Sequence, residues 1–284
     1  MTLRLTLAHS PDSDDAFMFY ALAEGKVATP GREYVHELAD IETLNARAAR
    51  GELDITAVSF HAYAYLHERY ALLPHGASIG DGYGPRLVSR EPPPADPGRI
   101  APALAGRTVA IPGERTTAAL ALRLFCPAAR TTIVPFDVIE DAVLAGKADV
   151  GLLIHEGQLT FADRGLVLWQ DLGAWWKAWT GLPLPLGGNV VRKDLGDAVI
   201  GQVSRDLRAS IQYGLRHRAE ALAHAGRYAR GMDEARTDAF VGMYVNDYTV
   251  DYGPTGRAAV QRLLDEAAAA HLIPGPVRAQ FVEE

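Results

Sequence analysis

His155 is the residue whose type and position in this sequence best suit acid–base chemistry. It follows residues 150–154, a short apolar run with the composition of a buried strand. In α/β sheets, ligand sites open at the carboxyl ends of strands. An imidazole there, with an unperturbed pKa of about 6.5, takes up a proton near neutral pH. The position alone fits equally well a histidine that only hydrogen-bonds a neighbouring loop.

The neighbour of this histidine, Glu156, has two interpretations. Its carboxylate either orients the His155 ring or is simply solvated, because adjacent residues at a strand end point in opposite directions.

A candidate anion site lies at residues 113–117, where a predicted strand gives way to a predicted helix. The free backbone N–H groups of a helix start, together with the hydroxyls of Thr116 and Thr117, suit a carboxylate or a phosphate. The alternative is that Thr116 only caps the helix. The spacing lacks the Gly-Lys-Ser/Thr sequence of a phosphate-binding P-loop.

A matching strand-to-helix junction lies earlier in the chain, at Ala57, Val58 and Ser59. Ser59 also has a simpler interpretation as the N-cap of the following helix. If the two junctions belong to two lobes of one fold, we expect them to face each other across a cleft.

The sequence predicts neither a metal nor a cofactor. His61 and His67 are six residues apart on a predicted helix, so they point to different faces, whereas zinc helices use a spacing of four. The acidic residues 12–15 lack the glycine and glutamate of a calcium loop. The glycine-rich residues 76–85 lack the Gly-x-Gly-x-x-Gly pattern of a dinucleotide site.

The composition is that of an acidic globular protein. The chain has 284 residues, a net charge of -7 and 48% hydrophobic residues. No basic stripe is present, so nucleic acid is not an expected partner; a small anionic molecule is. The single cysteine, Cys126, is predicted to pack in an apolar helix. The first residues lack the features of a secretory signal, and no apolar run approaches about 18 residues, so we expect a cytoplasmic location.

Strand and helix patterns alternate along most of the chain, which predicts an α/β fold with a mostly parallel sheet. The predicted strands are residues 3–8, 34–38, 54–58, 107–111, 131–135, 150–154 and 189–192. The predicted helices are residues 16–24, 41–50, 60–68, 116–125, 139–145, 200–217, 220–228, 233–244 and 255–270. Asp14 and Asp15 lie where N-caps and first-turn acids belong.

Two irregular stretches, the proline-rich residues 91–98 and residues 172–188, divide this pattern. They predict one lobe from residues 1–89 and 190–284, and an inserted second lobe from residues 90–189. Two lobes joined by two crossings enclose a cleft above a hinge. This is the layout of a two-lobed, type 2 periplasmic-binding-protein-like fold with a central cleft.

Several motifs, in the same order along nearly the whole chain, resemble the 1,4-dihydroxy-6-naphthoate synthase family. These enzymes cleave cyclic dehypoxanthinylfutalosine on the futalosine route to menaquinone. The most specific motifs are the His155 segment and the Trp-Trp to Leu-Pro-Leu-Pro stretch. The motifs span residues 10–20, 40–45, 113–117, 151–156 and 173–187.

The resemblance implies a two-lobed binding-protein fold without a metal and a lyase reaction. It implies that His155 removes a proton from the substrate, after which carbon–carbon cleavage and aromatisation release the naphthoate. It also implies substrate contacts at five positions, which are those of the two junctions described above: Ala57, Val58, Ser59, Thr116 and Thr117.

Two positions depart from the family pattern. Cys-Pro-Asn-Asp-Thr is common where residues 12–16 of this chain read Asp-Ser-Asp-Asp-Ala, and lysine is common where this chain has Ala57. Without that lysine, the substrate charge is left to helix dipoles and to Arg115. Two alternatives stay open: chorismate dehydratase, which shares the fold and the pathway, and a non-catalytic solute-binding protein, which should carry a secretory signal.

Overall fold

The structure is a computed structural model that describes residues 2–283. This part of the chain contains eleven strands in two sheets. The strands are β1 (Leu3–His9), β2 (Arg32–Leu38), β3 (Ile55–Ser59), β4 (Tyr70–Leu72), β5 (Ser78–Gly80), β6 (Arg86–Ser89), β7 (Thr108–Ile111), β8 (Arg130–Ile133), β9 (Val150–Leu153), β10 (Val167–Asp171) and β11 (Leu184–Arg192).

Thirteen α-helices connect and cover these strands within residues 2–283, and none of them is long and apolar enough to cross a bilayer. The helices are α1 (Ser13–Ala23), α2 (Ile41–Arg50), α3 (Phe60–Leu66), α4 (Ile100–Leu104), α5 (Thr117–Phe125), α6 (Ile139–Leu144), α7 (Gly157–Thr160), α8 (Leu172–Thr180), α9 (Asp197–Arg216), α10 (Arg218–Ala225), α11 (Glu234–Tyr244), α12 (Asp247–Val250) and α13 (Gly253–Ala269).

The first sheet has the strand order β2-β1-β3-β11-β4, with β5 paired to the other end of β11. Strand β1 runs parallel to β2 and β3, and β11 runs antiparallel to β3. In that pairing Gly187 lies opposite Ser59. The junction predicted at residues 57–59 therefore lies on β3, a fully buried strand. Its neighbour β11 comes from the second half of the chain.

The second sheet has the strand order β10-β6-β9-β7-β8. Strand β7 runs parallel to β8 and β9, whereas β6 and β10 are antiparallel to their neighbours. The predicted α/β class is confirmed, with two mixed sheets. Strands β4, β5, β6 and β10 are not among the predicted strands; each of them pairs antiparallel with its neighbours.

Residues 172–188, predicted to be irregular, instead form helix α8 and the first part of β11. Asp171 caps α8 by accepting hydrogen bonds from the N–H groups of Gly173 and Ala174 at 2.9 and 3.1 Å. Gly181, at φ 74°, ends the helix in a left-handed turn. Pro185 lies in β11 next to a shift in register against the short strand β5, a place where a missing N–H is tolerated.

The predicted lobe boundaries, with residues 90–189 as the inserted lobe, stay a prediction. Strand β6 at residues 86–89 already pairs within the second sheet, and β11 enters the first sheet from Leu184 onward. The two chain crossings thus lie before β6 and before β11.

Helix α1 is buried along most of its length, from Ser13 to Ala21. It packs against α9, α10 and α11, and Phe17 and Phe19 are 0% and 1% exposed. This placement carries the acidic start of the helix, residues 12–15, into the interior. Cys126 is buried as predicted, and its thiol donates to the carbonyl of Ala101 at 3.2 Å.

Candidate active site

A cleft with an empty volume of about 700 Å³ lies where strand ends of both sheets meet. It opens at the carboxyl ends of β1, β3 and β9 and at the start of α5, as expected for an α/β ligand site. The cleft is lined by Ser10, Asp12, Asp14, Asp15, Ile41, Ala57, Val58, Ser59, Gly76, Ser78, Pro85, Thr116, Thr117, Ala118, Ile154, His155, Gln158, Leu186, Gly187, Gly188, Phe240 and Tyr244.

The six site residues predicted from the sequence all line this cleft: Ala57, Val58, Ser59, Thr116, Thr117 and His155. The roles proposed for them remain predictions. The tryptophans are not among the cleft-lining residues. Trp176 is fully buried and donates its indole N–H to the carbonyl of Pro183 at 3.1 Å, and Trp175 and Trp179 stack on each other at 5.2 Å.

His155 adopts a left-handed backbone conformation, with φ 55°, two residues after β9 ends. Few non-glycine residues adopt this conformation. Its Nδ1 lies 2.9 Å from Oδ2 of Asp12, and its ring meets the Phe136 ring edge-on at 4.9 Å. Asp12 follows β1 of the first sheet, so this contact joins the two sheets across the cleft.

The second ring nitrogen of His155, Nε2, is buried and has no hydrogen-bond partner. A carboxylate beside Nδ1 holds the proton of the neutral ring on that nitrogen, which leaves the Nε2 lone pair free. Burial by itself lowers the pKa of His155, but the charge and hydrogen bond of Asp12 outweigh it, so the pKa is raised. Glu156 adds to this rise and Arg230 opposes it.

Asp12 has two hydrogen-bonding functions. Its Oδ1 caps α1 by accepting the N–H of Asp15 at 3.2 Å, while Oδ2 accepts from His155. Burial raises the pKa of Asp12, but the charge and hydrogen bond of His155 hold it below its usual range. Sequence reasoning did not single out Asp12, although Asp-x-x-Asp before an apolar run is a cap signal. Asp14 and Asp15 are first-turn acids, as predicted.

Glu156 does not orient His155, and it is not solvated either. It is 5% exposed, and its Oε2 accepts from Nη1 of Arg230 at 2.7 Å. The other guanidinium branch of Arg230 donates to the carbonyl of Pro11 at 2.7 Å. Arg230 also lies over the Phe136 ring at 4.5 Å. Arg230 therefore ties the loop after β9 to the loop after β1, beside the His155–Asp12 pair.

The first junction presents a hydroxyl that is not used as a helix cap. Ser59 occupies the N-cap position of α3 but makes no side-chain cap hydrogen bond. Its Oγ accepts from Nδ2 of Asn45 at 3.3 Å, and its backbone N–H donates to Oδ1 of the same residue at 3.0 Å. Asn45 thus holds Ser59 in place and leaves the hydroxyl proton available to the cleft.

The second junction differs from the prediction of an open anion site. The N–H groups of Glu114 and Arg115 donate to the carboxylate of Glu42, from α2, at 3.1 and 3.4 Å. A carboxylate from α2 therefore occupies two of the backbone donors of the predicted site. Substrate binding at Thr116 and Thr117, which line the cleft, stays a prediction. Thr116 does cap α5, accepting from the N–H of Ala119 at 3.2 Å.

No lysine or arginine is among the cleft-lining residues. Arg115, expected to replace the missing cation, is exposed and lies over the Tyr65 ring at 4.4 Å. The Thr117 hydroxyl donates to the carbonyl of Leu186 at 2.5 Å. Within the cleft lining, the groups able to meet a substrate oxygen are therefore hydroxyls, backbone N–H groups, the Gln158 amide and protonated side chains.

Asp12, Asp14 and His155 are the one grouping of possible cation ligands within residues 2–283, with one ligand atom of each lying within 4.8 Å of the others. The Nδ1 of His155 is already directed at Oδ2 of Asp12 as a hydrogen-bond donor. An ion between the three would have to replace that hydrogen bond. The arrangement therefore fits a hydrogen-bond network better than a preformed metal site.

The fold is shared with ligand-binding proteins. An alkanesulfonate-binding protein from Xanthomonas axonopodis pv. citri matches with a TM-score of 0.70 over 97% of this chain and 96% of its own, at 13% identity. A ligand-binding component of an ABC-type import system from Staphylococcus aureus matches with a TM-score of 0.71. The predicted periplasmic-binding-protein-like fold is thereby confirmed.

Other relatives are similar in sequence as well as in fold. A 1,4-dihydroxy-6-naphthoate synthase of Thermus thermophilus is 40% identical over 279 residues, covering 98% of this chain and 99% of its own. One from Streptomyces coelicolor is 39% identical, with 95% of each chain covered. A solved structure from Archaeoglobus fulgidus matches with a TM-score of 0.89 at 44% identity, covering 95% of this chain and 98% of its own.

A family model described as menaquinone biosynthesis matches residues 5–269. That span contains both cleft-forming sheets and each of the six predicted site residues. The chain therefore belongs to this menaquinone biosynthesis family.

Proposed function

We propose that this protein is a 1,4-dihydroxy-6-naphthoate synthase, a carbon–carbon lyase that acts on cyclic dehypoxanthinylfutalosine. The observation that carries the proposal is the state of His155: its Nδ1 is bound to Asp12 and its Nε2 lies unpartnered at the cleft. The names of the two relatives of about 40% identity support the same reaction. Family membership supports a role in menaquinone biosynthesis.

In this proposal His155 is the proton acceptor. Nε2 takes a proton from an acidic C–H of the substrate, and Asp12 stabilises the imidazolium that forms. A positioned general base contributes about 10²–10⁴-fold to a rate. Aromatisation of the product supplies the driving force, so the remaining acceleration comes from orienting the substrate.

Orientation is assigned to the two junctions. Ala57 and Val58 give one wall of the cleft a flat apolar surface, and Ser59 adds a hydroxyl held by Asn45. Thr116 and Thr117 line the same cleft, at the start of α5. A small anionic substrate would thus meet oriented donors rather than a side-chain cation, which agrees with the absence of lysine at Ala57.

The test is turnover of cyclic dehypoxanthinylfutalosine by purified protein, comparing wild type with His155→Asn. We expect the variant to fold and bind substrate but to lose about 10³-fold or more in kcat, because no other base is placed at Nε2. His217→Asn, on an exposed histidine outside the cleft, is the matched control and should keep full activity.

Three outcomes would contradict the proposal. Near-wild-type turnover by His155→Asn removes the proton acceptor. Turnover of chorismate instead of the futalosine derivative assigns the protein to chorismate dehydratase. Tight binding of small carboxylates with no turnover of either compound assigns it to the solute-binding proteins that share the fold.

A further inference from the structure

Asp14 takes no part in the proposed proton transfer, yet it lines the same cleft as His155. It is 7% exposed, and its Oδ1 is buried with no hydrogen-bond partner. Its Oδ2 receives only a long hydrogen bond, 3.4 Å, from the hydroxyl of Ser78. One carboxylate oxygen of Asp14 and one ring nitrogen of His155 lie within 4.8 Å of each other.

The neighbouring acids each have a short hydrogen bond or an ion pair, whereas Asp14 has only the long hydrogen bond from Ser78. Asp12 pairs with His155, and Glu156 pairs with Arg230. Asp15 accepts the backbone N–H of Ser10 at 2.8 Å. Asp14 is left with one weak donor and no cation, although it shares its surroundings with three other carboxyl groups.

An ionised Asp14 would be poorly tolerated in these surroundings. A buried charge without a counterion is disfavoured unless its remaining lone pairs are hydrogen-bonded. The start of α1 favours negative charge there, but burial and the charges of Asp12 and Asp15 oppose it. Burial raises the pKa of Asp14 well above its ordinary value, and the charges of Asp12 and Asp15 raise it further.

We propose that Asp14 is a catalytic residue that remains a neutral carboxylic acid and donates a hydrogen bond from its unpartnered oxygen to the substrate oxygen on which negative charge develops. The inference rests on the proposed function, because it assumes that His155 removes a proton beside a carbonyl group. A carboxylic acid kept neutral by its site is a known kind of oxyanion donor.

The step balances without any further reactant. The C–H bond breaks, its proton goes to Nε2 of His155, and the electron pair moves onto the adjacent carbonyl oxygen. The O–H of Asp14 donates to that oxygen and stabilises the enolate. The proton stays on Asp14, so this carboxyl group is unchanged when carbon–carbon cleavage follows.

The pH dependence of Asp14 is set by the groups around it on every packed element. They are Asp12 and Asp15 on its own side, His155 and Glu156 after β9, Ser78 on β5 and Tyr244 on α11. Three of the six are acids, and their negative charges move the ionisation of Asp14 to higher pH. The wild-type enzyme should then lose kcat/KM at alkaline pH, as the donor becomes an acceptor.

The experiment compares wild type, Asp14→Asn, Asp14→Leu and the control Asp15→Asn. Asparagine keeps an N–H donor but cannot ionise, so kcat should stay within about tenfold of wild type and the alkaline loss should disappear. Leucine has a similar size and no donor, and we expect kcat to fall about 10²–10³-fold. Asp15→Asn should retain the alkaline loss.

A second readout does not depend on activity. Infrared spectra of wild type near neutral pH, with no substrate, should contain a protonated-carboxyl band of which one part is lost in Asp14→Asn, kept in Asp15→Asn and titrated away at alkaline pH. Burial also raises the pKa of Asp15, so the Asp15→Asn variant identifies any contribution from that group. Circular dichroism and thermal melting establish that each variant is folded.

Three results would overturn the inference about Asp14. They are the absence of that band, an alkaline loss that persists in Asp14→Asn, and an activity that requires an added divalent cation and is lost in Asp14→Asn. A wild-type protein that fails to turn over the substrate contradicts the proposed function instead. In that case the infrared spectrum still decides whether Asp14 is neutral.

Discussion

Two histidines stand at the carboxyl ends of strands in this protein, and their surroundings make them chemically opposite. His9 ends β1 of the first sheet, stacks on Phe19 at 4.5 Å and lies beside His36. Its Nδ1 lies 3.0 Å from the carbonyl of Ser10. Burial lowers its pKa to about 4, so it stays neutral. His155 follows β9 of the second sheet, where the Asp12 carboxylate raises its pKa.

A position at a strand end therefore does not determine whether the pKa of a histidine is raised or lowered. The His9 ring is buried, the His155 side chain is 16% exposed, and both meet an aromatic side chain. The difference is the carboxylate: Asp12 lies beside the ring of His155, whereas the nearest polar partner of His9 is a backbone carbonyl. A charged partner in a poorly solvated place is what makes a histidine a base near neutral pH.

The largest expected effect comes from removing that carboxylate. Asp12→Asn should lower kcat/KM by about 10²–10⁴-fold, because the proton is no longer held on Nδ1 and the imidazolium is no longer stabilised. Asparagine is also a good N-cap, so α1 should remain stable. Steady-state kinetics with cyclic dehypoxanthinylfutalosine, alongside a thermal melt, measure both.

The same variant tests the sign of the pKa shift of His155. The base works when neutral, so wild-type kcat/KM should fall as the pH drops through a pKa above 6.5. Without Asp12 the pKa falls, and the acid limb of the profile should move to lower pH. An acid limb at the same pH in both proteins would show that the Asp12 carboxylate is not what distinguishes His155 from His9.

Substitution of His9 should change the pH dependence of the free energy of unfolding rather than the rate of turnover. Its folded pKa, about 4, lies below its ordinary value of 6.5, so the unfolded chain binds the proton more readily. Stability is therefore lost as the pH falls from about 6.5 toward 4, by about 2–3 kcal/mol from this residue. His9→Gln should reduce the loss between pH 7.5 and pH 4.5 by that amount in urea unfolding. An equal loss in both proteins would contradict it.

A smaller effect should separate binding from proton transfer. Ser59→Ala should raise KM about fivefold and leave kcat within a few fold, since one hydrogen bond to substrate and about 1 kcal/mol are lost. Ser89→Ala, which removes a buried hydroxyl bonded to the carbonyl of Asp149 outside the cleft, is the control. A fall in kcat with unchanged KM would place Ser59 with His155 in the chemical step.

The smallest effects concern the aromatic neighbours of the two histidines. Phe19→Leu should cost about 1 kcal/mol of stability, because Phe19 is fully buried beside His9. Phe136→Leu, on a half-buried residue beside His155, should change kcat by a few fold and stability little. Urea unfolding and kinetics on both variants check this, and the reverse pattern would break the comparison.

Much of the fold was predictable because several elements show a characteristic pattern of apolar residues in the sequence. The strand before His155 is four buried residues, and α9 and α13 follow the helical period over 20 and 17 residues. Strands such as β5, three residues long, take their conformation from pairing with β11 rather than from their own pattern.

The sequence predicted six residues that line the cleft, but not the contacts they make. Position at strand ends identified His155 and both junctions. Asp12 is far from His155 along the chain, and no local pattern shows which loops of two sheets meet. Likewise, Glu42 reaches the N–H groups of Glu114 and Arg115 only because α2 packs at that edge. Long-range pairing of polar groups is a property of the assembled fold.

The left-handed backbone at His155 limits which amino acids that position can accept. Only glycine, and to a lesser degree asparagine and aspartate, adopt a φ near 55° at low cost, whereas β-branched residues do so very poorly. A substitution library selected for stability alone would therefore accumulate glycine and asparagine at this position, and selection for turnover would restore histidine. Valine or isoleucine should be depleted under both selections. Their depletion would result from the left-handed backbone conformation rather than from the loss of proton transfer.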